Sequence, residues 1–272
     1  MKTEVESELV ERLHKTRKYA NTCEDTLVRV ARWALARHDS PKTALKAAKR
    51  KLHQVYGAYV GQADAGRIDW LVGAMPTPGS PQRIETACRE ILGWHASTRE
   101  RLSMVEDVYA RVFSEIGTPR SILDLACGLN PFALPWMGLP EDAHYHAFDI
   151  DRALIAAINR FLGQIGRAGS AHCQDILVAV PQEEADVALL LKTVPCLEQQ
   201  EKGASARVLR QLRVRHAVVS FPTRSLGGRD KGMLDHYDGF MQRLLDELGR
   251  ASRRIAFTTE VFYVIELRPL RD

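Results

Sequence analysis

Ser121-Ile-Leu-Asp124-Leu-Ala126-Cys-Gly128-Leu-Asn130-Pro131 is an apolar run that enters a turn of small residues. In an open α/β sheet such a strand delivers the chain to the carboxyl edge, where ligands sit at a reversal of strand order. Small side chains there let the backbone approach a ligand closely. Asp149, in Ala147-Phe-Asp149-Ile-Asp151, follows the Gly128 turn by about 20 residues and ends the next apolar run. A carboxylate at that spacing is placed to accept ribose hydroxyls.

The turn lacks the Gly-x-Gly-x-x-Gly pattern, and Pro131 has no amide proton to offer a pyrophosphate. NAD and FAD are therefore disfavoured. S-adenosylmethionine carries no phosphate and bears a sulfonium cation, so a pocket of acids and carbonyls suits it better. Asp175, in His172-Cys-Gln-Asp175-Ile176, is a candidate for the adenine amino group. The same residue is equally suited to be a turn or helix-capping aspartate.

Outward from this motif, short apolar runs alternate with helical stretches. The runs are Ser121–Leu125, Tyr145–Phe148, Val187–Leu191 and Ala217–Phe221, with helices expected around 151–165, 203–213 and 231–249. That alternation predicts a parallel sheet covered on both faces. Arg254–Thr259 and Val261–Leu267 read as two strands with almost no room between them, a tight antiparallel return at the sheet edge. Upstream, helices are expected at 81–93 and 97–116, the second ending at Gly117 and Pro119. Met75-Pro-Thr77-Pro-Gly-Ser-Pro81 is the natural linker. It divides the chain into residues 1–77, a helical and basic unit, and 78–272, the α/β unit.

The 272 residues carry a net charge of only +4, but the charge is unevenly spread. Between Arg12 and Lys51 twelve cations face three acids, a local excess of nine. Ser40-Pro41 opens a helix in which Leu45, Ala48 and Leu52 share one stripe with Val55, Tyr56 and Tyr59. Lys42, Lys46, Lys49, Arg50 and His53 gather on a different face. A cationic face beside a near-neutral remainder points to a polyanion, with nucleic acid first. The five cysteines are scattered without Cys-x-x-Cys or zinc-finger spacing, which fits reduced thiols in a cytoplasm and no metal site. No apolar stretch suits a membrane span or signal peptide.

Four long motifs carry a family resemblance. They are His95-Ala-Ser-Thr-Arg-Glu-Arg101, Asp124-Leu-Ala-Cys-Gly-Leu-Asn-Pro131, Leu189-Leu-Leu-Lys192-Thr-Val-Pro-Cys196-Leu-Glu198 and Ser220-Phe-Pro-Thr-Arg-Ser-Leu-Gly-Gly-Arg-Asp-Lys-Gly-Met233. Together with Lys51-Leu-His-Gln-Val-Tyr-Gly-Ala-Tyr59, this sequence resembles the 16S rRNA (guanine(1405)-N(7))-methyltransferases of aminoglycoside resistance over nearly its whole length. The resemblance implies a Rossmann-like class I methyltransferase with a seven-stranded, mostly parallel sheet and an added helical N-terminal domain. It implies S-adenosyl-L-methionine as cofactor, 16S rRNA in the assembled 30S subunit as partner, and no obligate protein partner.

Carried over by motif, the cofactor contacts fall on Tyr59, His95, Ala96, Ser97, Arg101, Ala126, Gly128, Asp149, Asp175, Ile176, Leu191 and Gln200. Arg101 would meet the methionine carboxylate as a planar fork, and Tyr59 would set its ring against the cofactor. The family often has phenylalanine where Tyr59 stands. Lys192 is the candidate for positioning the substrate. For RNA, the candidates are Lys15, Arg17, Lys18, Lys42, Lys46, Lys49 and Arg50, with Arg224, Arg229 and Lys231 in a glycine-containing loop. Guanine N7 has an in-plane lone pair, so no general base is expected. Pro195-Cys196 also resembles the nucleophile position of cytosine-C5 methyltransferases, which act through a covalent adduct. The competing readings are methylation of another target, adenine 1408 included, and a catalytically silent RNA-binding module.

Overall fold

The structure, a computed structural model, describes residues 2–56, 65–75, 80–223 and 233–268. Its strands are β1 (Ser121–Leu125), β2 (His144–Asp149), β3 (Gly169–Cys173), β4 (Glu184–Leu191), β5 (Arg213–Pro222), β6 (Ser252–Ala256) and β7 (Glu260–Glu266). They form one seven-stranded sheet in the order β3-β2-β1-β4-β5-β7-β6. β1 to β5 pair in parallel, and β7 inserts antiparallel between β5 and β6. Strand order reverses between β1 and β4, which opens a crevice at their carboxyl ends. Because β7 runs against its neighbours, its first residue, Glu260, pairs with Pro222 at the end of β5 and reaches that same edge.

The helices are α1 (Lys2–His14), α2 (Glu24–Leu35), α3 (Pro41–Tyr56), α4 (Ala65–Gly73), α5 (Pro81–Gly93), α6 (Ala96–Arg99), α7 (Val105–Ser114), α8 (Arg152–Gln164), α9 (Val194–Gln200), α10 (Ala204–Gln211) and α11 (Met233–Leu248). Side chains alternate across the strands with period two. Ile122, Tyr145, Val187, Leu189, Val218 and Phe262 pack toward α4, α5, α7 and α8. Leu123, Phe148, Leu190, Val219 and Tyr263 pack toward α9, α10 and α11 on the other face. A third cluster, built on Leu13, Leu27, Val30, Ala34, Ala48 and Leu52, joins α1, α2 and α3. Among the described residues no helix is long and apolar enough to cross a membrane.

Several expectations shift in detail. The strands at 121–125, 145–148, 187–191 and 217–221 all fall within β1, β2, β4 and β5. The antiparallel return at 252–266 is present, with β6 forming the sheet edge and β7 held inside it. β3 has no apolar run to announce it, because Gly-Ser-Ala-His-Cys lies on the opposite edge and is only half covered. The helix expected over 97–116 is broken into α6, a 3₁₀ turn at Leu102–Met104, and α7. Met104 sits at φ −132°, ψ 13°, outside the helical region. Arg101, just before the break, is drawn into the interior. Ser40 caps α3 as its position suggests, accepting from the Thr43 amide at 3.2 Å.

At Gly169 the β2–β3 edge leaves no room for a side chain. The residue adopts φ +129°, and a Cβ there would lie 1.9 Å from the Tyr145 carbonyl oxygen. Gly169→Ala is expected to destabilise the protein by at least about 2 kcal/mol, from backbone strain and overlap together. Urea unfolding of the two proteins checks this, and equal midpoints would refute it.

Candidate functional site

The β1 turn is held from within. Ala126 and Gly128 both adopt φ +50°, a left-handed conformation that glycine accepts freely and alanine does not. Asp149, at the end of β2, accepts the Gly128 amide at 2.9 Å through one oxygen. Its other oxygen accepts the amides of Ile150 and Asp151 at 2.7 and 3.2 Å. A carboxylate has about four acceptor positions, so one remains for a ligand. Burial raises the Asp149 pKa above the ordinary carboxylate value, against the pull of these amides. The Cys127 amide is spent on Phe148 O and the Asn130 amide on Cys127 O. Pro131 contributes none, so the Cys127, Gly128 and Asn130 amides and Pro131 offer a phosphate no free donor.

Beneath the turn lies a buried polar network. Arg101, 4% exposed, forks onto Glu260, which is fully buried: Nη2 donates to Oε1 at 2.7 Å and Nε to Oε2 at 3.1 Å. Its Nη1 donates to Asn130 Oδ1 at 2.8 Å, which also accepts the Tyr109 hydroxyl at 2.6 Å. Asn130 Nδ2 donates to Asp124 Oδ2 at 3.0 Å, and the Tyr145 hydroxyl donates to the same oxygen. Burial pushes the Asp124 carboxyl up to about 7 despite these two donors. Ser220 Oγ donates to Glu260 and accepts the backbone amide of Lys192 at 3.0 Å.

Lys192 follows β4 with φ +57°, and its side chain is only 6% exposed. Its ammonium donates to Ser97 O at 3.1 Å and to Glu100 at 2.6 Å, with Glu260 at 3.7 Å. It therefore ties the end of β4 to the segment around α6. His95 caps that helix, its Nδ1 accepting the Ser97 amide at 3.3 Å. Burial, with Lys192 and Arg99 nearby, pushes the imidazole down to about 4. It is neutral near pH 7, and an accepting Nδ1 places its proton on Nε2.

The helical layer closes the rim of the crevice beside β2 and β3. The Cys23 amide donates to Ile150 O at 2.7 Å, and Thr22 bridges to Asp151. Asp175 is engaged on both oxygens. Oδ1 accepts the Leu177 amide at 2.9 Å, while Oδ2 accepts Thr26 Oγ1 and Arg29 Nε, each at 2.9 Å. Arg29 Nη2 also donates to Gln200 Oε1 at 2.7 Å.

One cleft gathers most of the expected cofactor residues. His95, Ser97, Arg101, Ala126, Gly128, Asp149, Asp175, Ile176, Leu191, Gln200 and Lys192 all line it. Ala96 is half-buried in α6 but is not among the lining residues. Tyr59 and the loop cations Arg224, Arg229 and Lys231 lie outside the described residues. Arg101 and Asp175 already have partners within the protein. The Arg101 fork is taken by Glu260 and Asn130, leaving two of its five N–H groups for other partners. Asp175 serves as a turn aspartate that also pins α2. Of the N-terminal cations, Lys15 pairs with Glu11 and Lys18 contacts His53, while Arg17, Lys42, Lys46 and Arg50 are exposed and Lys49 is half-buried. Cys196, Arg29 and Thr193 line the cleft as well.

The family model described as ribosomal RNA methyltransferase (FmrO) matches residues 15–264. This chain belongs to that family. It is 38% identical to a 16S rRNA (guanine(1405)-N(7))-methyltransferase of Micromonospora echinospora, over 93% of each chain. An enzyme of the same name from Frankia casuarinae is also 38% identical, over 94% of this chain and 91% of its own. The solved 16S rRNA methyltransferase RmtF, in complex with S-adenosyl-L-homocysteine, superposes with a TM-score of 0.83 at 35% identity, covering 97% of this chain and 98% of its own. The fold is accordingly that of a class I methyltransferase.

In this ribosomal RNA methyltransferase the residues that sequence reasoning missed are Glu260, Asn130, Tyr109 and Arg29. Glu260 left one signal, a lone acid at the head of the apolar run Val261-Phe-Tyr-Val-Ile265. Arg29 was counted only as one cation among twelve.

Two measurements probe the network. Glu260→Ala would leave Arg101 buried without its partner, and is expected to cost about 3–5 kcal/mol in urea unfolding; a loss under about 1 kcal/mol would show the pair to be dispensable. His95 refuses a proton until about pH 4, whereas an ordinary histidine accepts one at 6.5. The unfolded chain therefore gains a proton first, and His95 lowers stability as pH falls from 6.5 toward 4. His95→Asn, which keeps an acceptor for the Ser97 amide, should flatten that part of the pH–stability profile. Parallel profiles would contradict the assignment.

Proposed function

We propose that this chain methylates N7 of guanine 1405 in the 16S rRNA of the assembled 30S subunit, using S-adenosyl-L-methionine, and so confers aminoglycoside resistance. The observation that carries this reading is a cleft built around Asp149, which accepts the Gly128 amide of the β1 turn, in a chain related over nearly its full length to enzymes named for that specificity. The reaction belongs in the cytoplasm, where small subunits are found.

The donor set fits the cofactor. The remaining acceptor position of Asp149 would take a ribose hydroxyl, and Asp175 and Ile176 would border the adenine. The two N–H groups left on Arg101 would face the methionine carboxylate, beside the neutral His95 and Ser97. Ala126 and Gly128 would allow close approach, with Leu191, Gln200, Ala96 and Tyr59 completing the enclosure. When bound, the cofactor supplies a methyl group on a positively charged sulfur. The guanine would use the N7 lone pair to take the methyl carbon as the carbon–sulfur bond breaks. The electron pair of that bond would pass to sulfur to leave neutral S-adenosyl-L-homocysteine, so no side chain would have to remove a proton. What the protein contributes is orientation, which can be worth about 7–11 kcal/mol. Turning the base out of its stack costs a few kcal/mol, offset by cations on neighbouring phosphates. Lys192, held by Ser97 and Glu100, would keep the rim where the guanine enters in register with the cofactor. Methylated N7 carries positive charge and no longer accepts a hydrogen bond, so a cationic drug is repelled there.

The deciding experiment maps the methyl group on small subunits from cells expressing the protein. Methyl at N7 of guanine 1405, with resistance to gentamicin and kanamycin but not apramycin, is the expected result. Methyl at adenine 1408 with apramycin resistance, or no methyl at all, would overturn it. Cys196→Ser should leave the rate largely unchanged, whereas a covalent cysteine mechanism would lose it. Lys192→Ala is expected to lower the single-turnover rate at least tenfold; full activity and full affinity for the subunit would remove Lys192 from the site.

A further inference from the structure

One guanidinium sets the polarity of two residues on the wall of the cleft. Thr26 and Arg29 lie three positions apart on α2 and so share a face of that helix. Both reach Asp175. Thr26 Oγ1 and Arg29 Nε donate to Oδ2 at 2.9 Å, and Arg29 Nη2 lies 2.8 Å from the same oxygen. Arg29 Nη2 also donates to Gln200 Oε1 at 2.7 Å. Gln200 ends α9, and its backbone carbonyl accepts Lys51 Nζ at 3.2 Å, so its main chain is held as well. Arg29, Asp175 and Gln200 all line the cleft.

A guanidinium donates and has no acceptor. A glutamine bonded to it must therefore present Oε1, which leaves the Nε2 donors for another partner. Among the described residues Gln200 Nε2 has no partner within the protein. Asp175, in an ion pair with the same guanidinium, is an acceptor only. Its Oδ2 is filled by Thr26 and Arg29, while Oδ1 keeps one acceptor position beside the Leu177 amide. An unclamped side-chain amide can turn either its oxygen or its nitrogen to a ligand and so discriminates little. Clamped by Arg29, the wall shows a fixed donor and a fixed acceptor. Adenine complements that pattern, since it carries a donating amine beside accepting ring nitrogens. Hypoxanthine replaces the amine with an accepting oxygen and places a proton on the adjoining ring nitrogen.

We propose that Arg29 determines base specificity in the cofactor cleft: by fixing Gln200 as a donor and Asp175 as an acceptor, it makes the cleft take adenine and reject hypoxanthine in its place. Arg29 acts through these two side chains and is a positioning residue supplied by the helical layer. The inference rests on the cleft holding S-adenosyl-L-methionine, and it holds whichever base of the RNA is methylated.

The test measures, by calorimetry on the full chain, affinity for S-adenosyl-L-homocysteine and for S-inosyl-L-homocysteine, its hypoxanthine counterpart. The wild type should prefer the adenine form at least about tenfold, because the mismatched base leaves buried polar groups unpaired. Arg29→Met frees the Gln200 amide and is expected to narrow that preference at least about threefold. Arg29→Lys, which donates and cannot accept, should keep most of it. If Arg29 only fastened the helical layer to the sheet, Arg29→Met would weaken both ligands alike; an unchanged ratio therefore overturns the proposal. Gln200→Glu decides where Arg29→Met fails to fold. It keeps an oxygen for Arg29 but has no donor, so it should bind S-adenosyl-L-homocysteine at least about tenfold more weakly without a lower urea midpoint, and full affinity would reject the role. Absence of wild-type affinity for S-adenosyl-L-homocysteine would sink the reading of the cleft itself. Equal wild-type affinity for the two ligands would remove the assignment to Arg29 alone.

Discussion

A guanidinium buried beside a carboxylate, Arg101 on Glu260, governs how the carboxyl edge of the sheet is put together. Removing both charges from water is costly, and the cost is met by hydrogen bonds that leave few of their polar atoms unpartnered. Those bonds reach Asn130 below the β1 turn, Ser220 at the end of β5, and through Ser220 the backbone of Lys192. Three loops that are far apart in the chain are thereby held in one frame. The antiparallel insertion of β7 is what makes this possible, because it brings Glu260 to the edge where the parallel strands end.

Charge is distributed unevenly across the cleft, with Arg29 the one lining cation, among the described residues, that is bonded to an acid of the β1–β3 side. The acids Asp124, Asp149 and Asp175 sit along β1, β2 and the segment after β3. The cations Arg101 and Lys192 sit toward α6 and β4, bonded to acids of their own. A ligand with a sugar and a cationic centre at one side and a carboxylate at the other matches that division. A pyrophosphate fits it less well, since the Cys127, Gly128 and Asn130 amides are bonded inside the protein and Pro131 has none.

Much of this was legible before any coordinates. The β1 motif, the Asp149 spacing and the alternation of apolar runs predict the parallel core, and the structure places them as expected. The signals that failed share a physical cause. β3 lies at an edge with one side open, so nothing required an apolar run there. The helix over 97–116 has good periodicity, yet the chain leaves the helical region at Met104, just after Arg101 has turned inward to its buried ion pair. Asp175 reads identically as ligand or turn residue until Thr26 and Arg29 are seen to meet it, some 150 positions away in the chain.

The bond from Arg29 to Asp175 and Gln200 also means that the helical layer and the sheet are not separable parts. A rim residue of the cofactor cleft is donated by the layer that carries the basic surface. Exchanging that layer for one from a distant relative would strip a guanidinium from two pocket residues at once. A working chimera must bring its own donor to that spot, so the helical layer and the rim of the cofactor cleft cannot be redesigned independently.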